Sequence, residues 1–365
     1  MRNILGNNLT VTVFGESHGS HIGAIIDGIT AGIKVDENFI NECLAKRRPQ
    51  GKGETARVEK DEYKIVSGVF NGYTTGSPLC IIIENNDTKS KDYSLIKDLA
   101  RPSHADYVAN VKYNGFNDYR GGGHFSGRIT ASIVASGAIL LKALEKLNIK
   151  IGCHIKKCGN ILDKDFNDFD NEIDKVNNMI FPVINDVEEQ MKEEINNAAS
   201  NKDSIGGIIQ TAITGLPVGL GEPMFSSLEG ELSKAMFAIG GIKGIEFGLG
   251  FNFANLKGSE ANDEFVIVEG KVKTKTNNNG GIIGGISNGM PIVFNVAIRP
   301  TPSILKEQNT INMHTKQNDK LTIQGRHDPA IIRRINIVIR CMCALVISDM
   351  LITKYGQDVF LKESL

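Results

Sequence analysis

One segment near the end of the chain limits the possible folds more than any other. From Ile335 to Ile352 the sequence is almost continuously apolar. Arg340 and Asp349 interrupt it, which favours a buried core helix over a membrane span. The pattern predicts a helix from Pro329 to about Lys354, roughly 40 Å long at 1.5 Å per residue. Beyond Ile335 this helix is apolar nearly all round, so it must be covered on both sides. A second central helix is expected from about Gly127 to Leu147, with Ile129, Ile133, Val134, Gly137, Leu140, Leu141 and Leu144 facing inward.

The cover is expected from strands. Runs rich in Val, Ile and Thr, bounded by Gly, Asn or Pro, occur at Leu9–Phe14, Ile22–Ile26, Tyr63–Phe70, Leu79–Ile83, Gly207–Ile213, Glu264–Val272 and Ile292–Ile298. They do not alternate cleanly with helices, which disfavours a doubly wound parallel sheet. The fold class expected is α+β, a β-α-β sandwich of mostly antiparallel sheets around a central helical layer. No Pro/Ser-rich linker divides the chain, so residues 1–365 are expected to form one domain. Asp36 is a candidate N-cap for a helix carrying Phe39, Ile40, Cys43 and Leu44. Asp186 with Glu189 has capping-box spacing before Met191, Ile195 and Ala198. Gly206–Ile209 ahead of Gly215–Val218 resembles Gly280–Ile283 ahead of Gly289–Ile292, and an internal duplication is one explanation.

Charge narrows the ligand class. The formal net charge is −1, which argues against a general nucleic-acid coat. Residues 163–203 hold twelve Asp and Glu against four Lys, a local net of −8, so the remainder carries +7. The acidic stretch reads as a solvated peripheral excursion. The positive remainder suits an anionic ligand. The six Cys contain no CxxC and fit reduced thiols in a cytoplasmic protein. The N-terminal Met1–Asn8 has no apolar core of a signal peptide.

Six polar islands sit in turns marked by Gly or Pro. Gly15-Glu16-Ser17-His18-Gly19 follows a strand, where a turn can project His18 into a site. His21 gives an HxxH spacing, although a metal site needs further ligands. Lys46-Arg47-Arg48-Pro49, followed by Lys52, ends a helix; it is either a response to the helix dipole or an anion clamp. Arg101-Pro102-Ser103-His104-Ala105-Asp106 has N-cap and N3 spacing at Ser103 and Asp106. That spacing would put His104 at a helix start, where the dipole favours neutral imidazole. Arg120-Gly121-Gly122-Gly123-His124-Phe125-Ser126-Gly127-Arg128 leads into the first central helix and offers backbone N–H groups to an anion. It is neither a Rossmann fingerprint nor a Walker A loop. Arg299-Pro300-Thr301-Pro302-Ser303 follows a strand. In Gly325-Arg326-His327-Asp328-Pro329, Asp328 is a candidate N-cap with Pro329 at N1. Each island has a bland explanation alone; a shared pocket for a strongly anionic ligand accounts for all of them together.

With these motifs in this order, the chain resembles the chorismate synthase family from Asn7 to about Tyr355. The match includes Ser67–Gly72, Ile83–Asp87, Asp118–Gly123 and Gly280–Ser287 besides the islands above. The resemblance implies an anti-1,4-elimination of phosphate from 5-enolpyruvylshikimate 3-phosphate, with reduced FMN as an obligatory cofactor. It implies that His18 and His104 act as acids and that Asp328 assists proton removal through the flavin. It assigns Arg47, Lys52, Arg101, Arg128 and Arg326 to substrate. It assigns His124, Phe125, Ser126, Gly240, Gly241, Gly284, Arg299, Pro300, Thr301, Pro302, Ser303 and Arg326 to the flavin. It also implies a homotetramer. Many members read Gly-Arg-Ser-Ser-Ala-Arg-Glu-Thr where this chain reads Gly123–Thr130, so one cation and one hydroxyl near the flavin are replaced.

The absence of a dinucleotide fingerprint points to an external flavin reductase as partner, with no nucleic acid and no membrane. Two rival functions predict different outcomes. A flavin oxidoreductase would consume NAD(P)H stoichiometrically. A non-enzymatic phosphate- or nucleic-acid-binding protein would show salt-sensitive polymer binding and form no product.

Overall fold

The computed structural model describes residues 3–50, 54, 60–86, 97–323 and 328–362. Two antiparallel sheets enclose a layer of helices. The first sheet contains β1 (Ile4–Leu5), β2 (Thr10–Gly15), β3 (His21–Asp27), β4 (Tyr63–Ser67) and, after the short hairpin β5/β6 (Val69–Phe70, Tyr73–Thr74), β7 (Leu79–Glu84). Its order is β1-β2-β3-β7-β4. The second contains β8 (Lys150–Cys158), β9 (Ile161–Leu162), β10 (Gly207–Thr214), β11 (Ile242–Phe247) and β16 (Ile292–Ile298), in the order β11-β16-β10-β8-β9. Hairpins β12/β13 (Phe265–Val268, Lys271–Thr274) and β14/β15 (Ile282–Ile283, Ile286–Ser287) lie between β11 and β16; β17/β18 (Gln308–Asn312, Gln317–Leu321) follows them. The expected sandwich of antiparallel sheets around helices is the fold observed.

The helices are α1 (Glu37–Arg47), α2 (Asp106–Lys112), α3 (Thr130–Lys146), α4 (Phe169–Asn177), α5 (Glu188–Ser200), α6 (Leu228–Ala238), α7 (Gly258–Ala261) and α8 (Ile332–Tyr355). α3 packs on α8, on α1 and on β3 and β7; the other side of α8 packs on β8 and β10. The covered helix expected from the apolar run is therefore α8, buried from Ile335 to Ser348 without a break. Its helical turns begin at Ile332 rather than Pro329. The two charges within the apolar run are tied to backbone. The Asp349 carboxylate accepts from the N–H groups of Asn7, Asn8 and Leu9 at 2.9, 2.7 and 2.8 Å. Arg340 Nε donates to the Ile151 carbonyl at 2.9 Å. Hydrogen bonds of this kind make a charge tolerable in a core. α3 and α8 cross closely at Gly137, where a Cβ would fall 2.5 Å from the Cys341 Cβ.

The acidic excursion forms α4 and α5 on the outer face of the second sheet. Gly152 of β8 faces Ile173 of α4, and Ala212 of β10 joins the small cluster of Phe166, Ile173, Val176 and Ile184. Asp36 caps α1 as expected, accepting from Phe39 N at 3.0 Å.

Four expectations are corrected. α5 begins at Glu188 with Val187 at the cap position and no side-chain cap, so Asp186 does not open it. Glu264–Val272 is not one strand: the chain reverses at Glu269-Gly270, both at positive φ, to form β12/β13. Tyr63–Phe70 is likewise interrupted, at Gly68, which has φ +86°. The two similar Gly-Gly-Ile-Ile segments adopt different structures, one opening the seven-pair β10/β16 ladder and the other the two-residue β14, so their likeness stops at sequence.

Candidate active site

The N-terminal turns, the start of α3 and the start of α8 meet at one edge of the helical layer. They border a cleft of about 670 Å³. Its lining brings together Arg47, Arg101, His104, Gly121, His124–Thr130, Gly240, Gly241, Arg299–Ser303 and Asp328. Five of the six islands thus reach the cleft through lining residues. His18 does not line it; its island lies directly behind the lining. Gly284 sits in the β14/β15 turn, outside the lining. Lys52, Arg326 and His327 lie outside the described residues.

The glycine turn positions the two imidazoles. Gly121, Gly122 and Gly123 have φ of 58°, 86° and 54°. An added Cβ on Gly121 would lie 2.6 Å from the His18 ring, and one on Gly122 would lie 3.2 Å from the His104 ring. Only a backbone without side chains can pass this close to both rings. The turn is fixed by Ser17 N donating to the Gly123 carbonyl at 3.1 Å. His124 Nδ1 donates to the Gly15 carbonyl at 2.8 Å. Asn85 Nδ2 reaches the carbonyls of Glu16 and Gly19 at 3.0 and 2.9 Å.

His104 is held by a carboxylate rather than by a helix start. α2 begins at Asp106, with Ala105 at the cap position, and Ser103 adopts φ +58° with no capping role. The Asp106 carboxylate instead turns back. It accepts from Arg101 N, Nε and Nη2 at 3.0, 2.7 and 2.7 Å, and lies 2.8 Å from His104 Nδ1. Nδ1–H donates to Asp106, which leaves Nε2 as the nitrogen that can exchange a proton with a ligand. Arg101 Nη2 is also 3.1 Å from Nδ1; with the proton on Nδ1 that approach is a contact between two donors and not a hydrogen bond. Burial would raise the Asp106 carboxyl, but hydrogen bonds from Arg101 and His104 outweigh it and hold the group well below the usual carboxylate range.

A second carboxylate organises the cations. Asp61, whose side chain is fully buried, accepts from Arg47 Nη2 at 2.8 Å and forms an ion pair with Arg128 Nη1. Arg128 also donates from Nε to Asn85 Oδ1 at 2.9 Å and from Nη2 to the Glu84 carbonyl at 3.1 Å. Arg47 and Arg128 are 3% and 8% exposed, so both are fixed before any ligand arrives. Ser126 accepts from Arg128 N at 3.3 Å and opens the 3₁₀ turn Gly127–Ile129 ahead of α3.

On the opposite wall, Arg299 Nη1 donates to the Ser103 carbonyl at 2.7 Å, and Arg299 N donates to the Gly241 carbonyl at 2.9 Å. Thr301 Oγ1 donates to the Asp328 carbonyl at 2.5 Å. Asp328 is not the cap of α8. Its carboxylate pairs with Arg334 Nη1 at 2.5 Å. Asn3, Arg334 and, from α6, Lys234 also line the cleft; the rest of its surface is mostly apolar, with Val11 and Val13 from β2, Ile133 from α3, and Ile335, Val338, Met342 and Leu345 from α8.

Sequence reasoning missed Asp61, Lys234 and Arg334, together with the apolar wall. Asp61 carries no local signal, because its partners lie 14 and 67 residues away. Arg334 was readable in principle as a cation on the first turn of an otherwise apolar helix. The arrangement offers several fixed cations to anionic groups, a carboxylate and an imidazole for proton transfer, and an apolar face for a ring system.

Comparison with known proteins agrees with this chemistry. The family model described as chorismate synthase matches residues 9–352. A chorismate synthase of Korarchaeum cryptofilum is 43% identical over 352 residues, 95% of this chain and 96% of that protein. One of Pyrococcus abyssi is 44% identical over 349 residues, covering 95% and 97% of the two chains. A solved crystal structure of chorismate synthase superposes with a TM-score of 0.75 at 31% identity, over 96% of this chain and 94% of that one. Family match, relatives and fold agree: the chain belongs to the chorismate synthase family, whose members are carbon–oxygen lyases.

Proposed function

We propose that this chain catalyses the anti-1,4-elimination of phosphate from 5-enolpyruvylshikimate 3-phosphate, giving chorismate, with reduced FMN and no net redox change. The observation that carries this reading is the convergence of Arg47, Arg101, His104, Arg299 and Asp328 on one cleft that also has an apolar wall. A substrate with two carboxylates and a phosphate needs such a density of guanidinium groups.

The residues fit a flavin mononucleotide. The apolar face of α8 and β2 would take the ring. Arg299, Ser126, Thr301, Ser303 and the Gly240-Gly241 backbone would take the polar chain and phosphate, with Arg326 and Gly284 assigned by resemblance. When bound, reduced FMN supplies electron density to the carbon that loses phosphate and afterwards recovers it. The chain does the rest. Arg47, Arg101, Arg128 and, by resemblance, Lys52 and Arg326 hold the substrate anions. His104 Nε2 delivers a proton to the departing phosphate, whose growing charge Arg101 stabilises. Asp328 assists removal of the proton lost from the ring carbon, which its carboxylate oxygen holds in the end. His18, behind Gly121, completes the acid set.

The whole chain would act as one domain, since a continuous core runs from Leu9 to Phe360. The strongly exposed Phe225 and Phe251 favour burial against another chain, and the resemblance makes that assembly a homotetramer. A cytoplasmic location with an external flavin reductase as partner completes the reading.

The test is anaerobic incubation with reduced FMN and 5-enolpyruvylshikimate 3-phosphate. Phosphate and chorismate should appear in equal amounts, with flavin used only catalytically. Stoichiometric NAD(P)H consumption would instead indicate an oxidoreductase. Asp328→Asn should keep the fold and lose about 10²-fold or more in rate, the usual scale for general base catalysis. Near-normal turnover would reject Asp328 as the base. His104→Ala should impair turnover more than flavin binding.

A further inference from the structure

The first two arginines of α8 do not point into solvent as a helix start would allow. Arg333 Nη1 donates to the Lys46 carbonyl at 2.7 Å, and its Nη2 donates to the Arg48 carbonyl at 2.6 Å. Arg334 Nε donates to the Arg47 carbonyl at 2.7 Å. Together they satisfy consecutive carbonyls at the C-terminal end of α1, the groups a helix leaves without intrahelical partners. Arg334 does more, because its Nη1 also holds Asp328 Oδ2 at 2.5 Å. One guanidinium therefore spans a carboxylate of the cleft and the backbone of Arg47, a cation of the same cleft. Its side chain and that of Asp328 are only 14% and 10% exposed, so solvent screens the pair weakly.

We infer that Arg334 is a positioning residue for the elimination: it fixes the Asp328 carboxylate in place relative to the substrate anchor Arg47. This rests on the reading of Asp328 as proton acceptor. The planar fork suits the task because two donors on different nitrogens set two directions at once, whereas an ammonium sets a charge without orientation. Misplacement of a reacting group by about 1 Å can cost on the order of 10²-fold in rate. Loss of Arg334 should therefore appear mainly in kcat, through Asp328, and little in the binding of substrate or flavin.

The test is a double-mutant cycle with Arg334→Gln, Arg334→Lys and Asp328→Asn, with turnover, FMN affinity and Tm measured for each holoenzyme. Arg334→Gln is expected to lower kcat by roughly 10- to 100-fold while KM and FMN affinity change less than about threefold. In the Asp328→Asn background the same substitution should have almost no further effect on kcat, because groups acting as one unit are non-additive. Arg334→Lys should recover only part of the loss. Independent, multiplicative losses in the cycle would overturn the proposal, as would a change confined to KM or FMN affinity, which marks direct ligand contact. The Tm cycle on the flavin-free chain reads the Asp328–Arg334 coupling without any turnover, and additive Tm changes there would overturn it too. If Arg334→Gln fails to fold, Arg334→Lys carries the same kcat cycle. Full turnover by Asp328→Asn alone would reject the proton-acceptor reading while leaving the Tm coupling intact, so the two failures are distinguishable.

Discussion

Asp106→Asn isolates the carboxylate that holds Arg101 and His104 without changing shape. The native group accepts three hydrogen bonds from Arg101 and one from His104, and its side chain is 12% exposed. Breaking a buried charge pair from one side costs about 3–5 kcal/mol, and partial exposure places this case near 3. Unfolding entropy of about 2.1 cal/mol/K per residue gives about 0.8 kcal/mol/K for 365 residues, so the expected fall in Tm is about 4 °C. The pH dependence has a definite sign. The folded carboxyl lies below its ordinary value of 3.8, so its stabilisation is complete above that value and fades as pH falls below it. The gap between chain and variant should be widest near neutrality and about 1 kcal/mol smaller at pH 3. Calorimetry from pH 7 to pH 3 measures it. A variant within 1 °C of the parent at pH 7, or a gap that widens in acid, would refute the account of Asp106 as a charged anchor. Turnover should fall as well, since the ring loses the acceptor that fixes its tautomer.

Two further outcomes follow from the packing. Gly121→Ala puts a methyl 2.6 Å from the His18 ring at φ +58°, so turnover should drop on the order of 10²-fold while the chain still folds; unchanged kinetics would show that the turn does not set the imidazoles. Burial pushes the Cys153 and Cys158 thiols up to about 12 and those of Cys341 and Cys343 well above their ordinary value. A thiol reagent at pH 8 should therefore modify the half-buried Cys80 first, and these four only on unfolding. Equal rates at Cys80 and Cys153, read by mass spectrometry, would contradict the burial described.

The parts of the fold legible in the sequence are those with a local cause. α8 announced itself because a helix apolar all round has only one place to go. The strands of the first sheet alternate or carry β-branched runs, and Asp36 sits three residues before the N–H it caps. β8 was not expected. It is an inner strand of the second sheet, Lys-Ile-Gly-Cys-His-Ile-Lys-Lys-Cys, and its long ladder is with β10, a strand that begins only at Gly207. The cap roles assigned around Ser103 and Asp106 and at Asp328 failed for related reasons. Ser103 turns left-handed, and Asp106 and Asp328 each find an arginine rather than a helix terminus. Cap spacing is a weak preference that a charged partner overrides. In the site, the lining islands were legible as motifs, whereas Asp61 acts across the chain and gave no local pattern, and Arg334 showed only as a cation on an apolar helix, without its partners.

The Asp349 anchor has a consequence for how the chain is made. The turn at Asn7–Leu9, which leads into β2, donates its three N–H groups to a carboxylate 340 to 342 positions later in the chain. The helix carrying that residue also separates the two sheets. During synthesis the second sheet cannot close against α8, nor the Asn7–Leu9 turn against Asp349, until Ile332–Tyr355 have left the ribosome, so these early residues wait for much later ones. Removing the turns of α8 that carry Asp349 should therefore be felt at Asn7–Leu9, and the second sheet keeps an apolar face open until that helix emerges.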